Sequence, residues 1–75
     1  MTDADKEKLW RLGEEYGLAP DDLITEFGLE NLVPAICTNG GCDYTTEYEP
    51  DQREGWCKQC ETRSVASALV LAGIL

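Results

Sequence analysis

The spacing of apolar residues changes along the chain, and each change marks a different kind of element. Near the start, Leu9, Leu12 and Tyr16 recur at helical intervals among charged residues, and Trp10 widens the same stripe. Thr2 is placed to cap this helix, with Asp3 and Asp5 in the first turn opposing its positive end. Glu7 precedes Arg11 by one turn, the favourable order for a surface ion pair. Gly17 reads as a left-handed stop, after which Leu18 can fold back toward Leu12. The same punctuation returns as "EFGL" (26–29) after "EYGL" (15–18), so Gly28 and Leu29 are expected to end a second helix in the same way. Pro20 suits that helix's first position, Asp21 and Asp22 its first turn, and Leu23, Ile24 and Phe27 its buried side. Residues 30–33 are expected to add a helical turn before Pro34 sends the chain extended toward Cys37.

Farther on, the period shortens. In "DYTTEYE", Tyr44, Thr46 and Tyr48 fall on one face and Thr45, Glu47 and Glu49 on the other, the alternation of a half-buried strand. The turn formers of "EPDQREG" follow, and "WCKQC" is expected to return as the second strand of a hairpin. The final stretch, "SVASALVLAGIL", is apolar on every side. Read as a helix from Ser64 to Leu75, it is expected to be buried against the Trp10 and Phe27 side, with any surplus left for a dimer or partner contact.

Cysteine spacing changes the picture most. All four cysteines lie in residues 37–60 as Cys37-x4-Cys42 and Cys57-x2-Cys60, two close pairs whose separation fits a tetrahedral site with four thiolate ligands. Asn39, Gly40 and Gly41 tolerate positive φ inside the longer first loop. The need for such a site is also energetic, because 75 residues lie near the size at which an apolar core alone gives marginal stability. An iron site, a disulfide framework and a redox Cys57-x2-Cys60 are the other readings of the same pattern. The start lacks a basic region followed by an apolar run, so a reducing cytoplasm is the expected location, where clustered cysteines more often bind metal than form structural disulfides. The apolar tail is shorter than the roughly 20 residues needed to cross a bilayer, so no membrane role is expected.

The stretch from 35 to 63 resembles a zinc ribbon, in which two cysteine knuckles are brought together by a β-hairpin around one zinc. That resemblance implies Cys37, Cys42, Cys57 and Cys60 as ligands of one structural Zn²⁺. The x4 loop departs from the commoner x2 first knuckle. The whole chain also looks, more loosely, like small zinc-ribbon proteins of phages and bacteria. The expected architecture is therefore a small metal-stabilised α+β domain spanning 1–75: a helical hairpin (2–34), the ribbon (35–63) and a C-terminal apolar helix (64–75).

Charge bears on function. The formal charge is -9 with no histidine, and four thiolates around one Zn²⁺ would bring it to about -11. Such a surface repels phosphate and suits a basic protein partner. Four thiolates leave zinc no open position, and without histidine the commonest general base is missing, so no enzyme is expected. A helix-turn-helix reading of the first two helices fails because "PDDLITEF" lacks the side chains that read bases. The expected function is a non-catalytic protein-interaction module that presents Glu47, Glu49, Asp51 and Glu54 to a larger, basic or nucleic-acid-handling protein. The alternative is nucleic-acid binding by Arg53, Trp56, Lys58 and Arg63, the one group combining phosphate contacts with stacking. Trp56, however, is expected to pack in the ribbon's own core.

Overall fold

A computed structural model describes residues 2–28 and 30–75. Helix α1 (Asp3–Tyr16) begins as its sequence dictates. The Thr2 hydroxyl accepts from the Asp5 N–H at 3.1 Å, and the Asp5 carboxylate accepts from the Thr2 N–H at 3.4 Å. Gly17, at φ 71°, stops the helix, with its N–H donating to the Glu14 carbonyl and that of Leu18 to Gly13. Leu9 and Leu12 are buried beneath this helix, and Tyr16 and Leu18 join them. Trp10 departs from the expected stripe: it is 57% exposed.

Helix α2 (Pro20–Phe27) buries Leu23 and half-buries Ile24 and Phe27; the Phe27 ring meets that of Tyr16 edge-on at 5.7 Å. Gly28 does not repeat the stop of Gly17. It is right-handed at φ -61°, and Leu29, the last residue of the echo, lies outside the described residues. The stop that does repeat is at Gly73 (φ 78°), where the Gly73 N–H donates to Val70 and the Ile74 N–H to Leu69. Nor is there a further helical turn before Pro34. Asn31 and Leu32 form a bend and strand β1 (Val33–Cys37) starts at once.

Strands β2 (Thr45–Tyr48), β3 (Gly55–Cys57) and β4 (Thr62–Ser67) complete a curled antiparallel sheet in the order β2-β1-β4-β3. The expected hairpin between β2 and β3 is therefore corrected. These two strands are the edges, and each pairs with a central strand: β2 with β1, β3 with β4. Pro34 is accommodated in central β1 by position. The Cys37 N–H donates toward β2 (to Tyr44) and the Thr38 N–H toward β4 (to Ser64). Alternation thus turns the Pro34 nitrogen toward β4, beyond the last pair, Ala35↔Ser67, where no ladder bond is required.

The C-terminal apolar helix is also corrected. Residues 62–67 are strand, and helix α3 is a single turn (Ala68–Leu71) capped by the Ser67 hydroxyl. The physical reason lies in pairing: β1 has a second edge to satisfy, and β4 supplies it through Ile36↔Ala66 and Cys37↔Val65. The buried half of β4, Val65–Ser67, runs directly into the apolar turn of α3, so the two together mimic one buried helix when read from sequence. The sheet also extends past both ends of the expected ribbon segment.

The two sheet faces serve two cores. Ile36 and Ala66 face α1, α2 and α3, packing with Leu9, Leu12, Leu23 and Leu71. Ala35, Cys37 and Val65 face the other way, with Cys42 and Cys57. Tyr48 closes the curl. Its hydroxyl donates to the Trp56 carbonyl at 3.1 Å and accepts from the Trp56 N–H at 3.0 Å, joining edge β2 to edge β3. Gly55 makes room for that ring, since a Cβ there would lie 2.5 Å from it.

Candidate metal centre

Each cysteine pair sits at the turn of a hairpin. Cys37 ends β1, and Cys42 lies in the loop leading to β2. Cys57 ends β3, and Cys60 lies in the turn to β4. Because β1 and β4 are neighbours, the two turns emerge at the same end of the sheet. The four Sγ atoms consequently lie within 4.8 Å of one another, with Cys37, Cys42 and Cys57 buried and Cys60 half-buried. None is in a disulfide.

Between the pairs, Cys37 and Cys60 approach to 3.9 Å and Cys42 and Cys57 to 3.7 Å. Four sulfurs about 2.3 Å from a tetrahedral zinc would be separated by about 3.8 Å. The cluster thus has the size and ligand chemistry to hold one metal ion. Soft sulfur donors in tetrahedral array suit zinc or iron and disfavour magnesium or calcium.

Surrounding groups support negative sulfur. The Cys60 N–H donates to Cys57 Sγ at 3.3 Å, and the Ser64 hydroxyl lies 3.1 Å from Cys37 Sγ. Asn39 holds this end together through its amide, which donates to Thr62 and Ser64. Burial pushes the Cys37 thiol up. Hydrogen bonds from Ser64 and the Asn39 backbone, with those of the neighbouring cysteines, outweigh it and bring Cys37 down to about 7. Cys42 goes the other way. The Tyr44 backbone draws it down, but Cys60, burial, Cys37 and Cys57 together push it up to about 12. Sulfurs this crowded resist sharing negative charge unless a cation lies among them.

Two features of the site leave no signal in the sequence. Lys8, only 8% exposed, reaches from α1 to the Cys42 carbonyl and lies 3.6 Å from Asp43. Arg11 joins the same carboxylate at 2.9 Å while keeping its expected bond to Glu7. Lysine on a charged helix carries no signal of such reach. The second feature is Glu61, which follows the second knuckle at φ 55°, a left-handed position that a glycine would take without strain.

The residues expected to meet partners are all at the surface. Glu47, Glu49, Asp51 and Glu54 are exposed along β2 and the connection to β3. Arg53, Lys58 and Arg63 are exposed as well. Trp56 is corrected from core to surface: it is 47% exposed and sits directly opposite Arg63 across β3 and β4. Among the described residues no helix is long and apolar enough to cross a membrane. No protein-family model, curated protein or solved structure compared with the chain matches it.

Proposed function

We propose that the chain is a non-catalytic protein-interaction module built around one structural Zn²⁺ held by Cys37, Cys42, Cys57 and Cys60. The observation that carries this reading is the set of four sulfurs within 4.8 Å, with separations of 3.7 and 3.9 Å between the pairs that match the edges of a zinc tetrathiolate. Four protein ligands would complete the coordination and leave no position for water or substrate. The absence of histidine from the sequence supports the same view. What remains for the surface is recognition. A charge of -9 with exposed Glu47, Glu49, Asp51 and Glu54 favours a basic protein surface.

Metal analysis and native mass spectrometry test the zinc. One Zn²⁺ per chain is expected, and its removal should unfold the sheet, since structural zinc contributes on the order of 10–16 kcal/mol in small zinc domains. An ordered metal-free chain, or one with sulfurs oxidised in pairs, would overturn the reading. Association with a basic partner should slow as salt is raised.

A second reading is favoured by one observation, the exposed Trp56 facing Arg63 across the strands. This pair could stack on a base and contact a phosphate. Low-salt gel shifts with single-stranded DNA and RNA decide it: a shift lost in Trp56→Ala supports nucleic-acid binding, and no shift at any concentration removes it.

A further inference from the structure

One end of the helical layer carries an apolar groove at the rim of the helical core, floored by Leu9 and Ile24. It has a volume of about 490 Å³ and runs between α1 (Lys6, Leu9, Trp10), the start of α2 (Asp21, Ile24) and the tail after α3 (Ile74). Its walls include two of the large apolar side chains left in water, Trp10 at 57% and Ile74 at 56% exposure. Exposed apolar side chains gathered around one groove mark a binding surface rather than scattered solvent exposure.

Charge selects the occupant. Helix α2 carries Asp21, Asp22 and Glu26 and no base. In α1, Lys8 and Arg11 are engaged with Asp43 and Glu7, which leaves Lys6 as the base beside the groove. A second copy of the chain is a poor occupant. It would bring -9 against -9, and a stable dimer buries about 800 Å² per partner, more than a groove of side-chain dimensions offers. The volume lies low in the range of about 300–1,000 Å³ for small-ligand sites. Its lining is mostly apolar, with Lys6 and Asp21 as the charged residues.

We infer that this groove docks an amphipathic helical segment of a basic partner protein, whose apolar side chains lie on Trp10, Ile24 and Ile74 and whose Lys or Arg residues flank them toward Asp21. The inference rests on the reading of the chain as a docking module for a basic protein, and it moves the contact from the strand connection to the helical layer. Anchors one turn apart on the partner would follow the helix-in-groove mode of recognition.

The test uses the zinc-loaded full chain with Trp56→Phe, so that Trp10 is the sole tryptophan. The probe is a stapled helical peptide with Leu and Phe along one face and Lys and Arg on the other. Its twin carries Glu in place of the bases. The basic peptide should bind, shift Trp10 emission to the blue and perturb the NMR signals of Leu9, Ile24 and Ile74. Trp10→Ala, with zinc content and circular dichroism unchanged, should weaken binding by about tenfold or more, as expected for a central aromatic anchor. Lys6→Glu should tighten binding severalfold and Asp21→Asn should loosen it, both effects shrinking in high salt. Equal binding of the acidic twin would overturn the charge assignment. Binding mapped to Glu47, Glu49, Asp51 and Glu54 with Trp10 silent would overturn the groove but leave the docking module standing. If neither peptide binds, both readings fall. Sedimentation showing a dimer that Trp10→Ala dissolves would make the occupant a second copy and overturn the inference.

Discussion

Single residues decide how tightly the knuckles can be drawn. Glu61 takes a left-handed conformation that costs an L-residue about 1–2 kcal/mol. Glycine relieves this at the expense of a more flexible unfolded chain. Glu61→Gly in the zinc-loaded protein should therefore be neutral to stabilising by about 1 kcal/mol, and Glu61→Val destabilising by a similar amount; denaturant midpoints read both. Gly55 presents the opposite case, since it lies against the Tyr48 ring rather than in an unusual conformation. Gly55→Ala should cost about 1–3 kcal/mol through overpacking, visible as a lower thermal midpoint with the metal still bound. Neither requirement was legible in the sequence. A glycine announces a turn whether it serves a turn or a close approach, and a glutamate announces solvent. The cysteines were legible because their chemistry is scarce and their spacing local.

At the scale of elements, the legible parts were those whose signals are local. Helix α1 carries its own caps and α2 a proline at its first position; both have first-turn acids and apolar stripes, and they form where these features place them. Strand pairing was not legible, because the Val65–Ser67 half of β4 is paired by β1, a segment distant in sequence. The hairpin expected between β2 and β3 failed for the same reason: alternation identifies a strand but not its neighbour. Lys8 adds a link between elements that neither helix nor knuckle shows alone. Its ammonium holds the Cys42 carbonyl and approaches Asp43, so α1 is fastened to the first knuckle. Lys8→Met keeps the apolar stem but leaves a buried carbonyl without its donor, which should cost about 1–3 kcal/mol. Equilibrium unfolding measures that loss, and chelator competition should show faster metal release. If release is unchanged, helix and knuckle are energetically separate.

For the molecule as a whole, a metal ion at the cysteine cluster would compete with protons for the same sulfurs. Cys42 holds its proton up to about 12, so zinc loading near neutral pH must expel it. Apparent zinc affinity should therefore rise with pH, and loading an unbuffered solution should acidify it; a pH-stat titration counts the protons, and a pH-independent affinity would contradict the thiol assignment. Acid should reverse the process, protonating sulfur, releasing metal and unfolding the sheet. The strand order β2-β1-β4-β3 carries a consequence for biosynthesis. Strand β1 leaves the ribosome well before the segment that covers its far edge, and the last sulfur donor, Cys60, is translated only shortly before that segment. Until then β1 has only β2 to pair with, so a metal ion held by all four cysteines would be captured at nearly the same moment as the sheet closes.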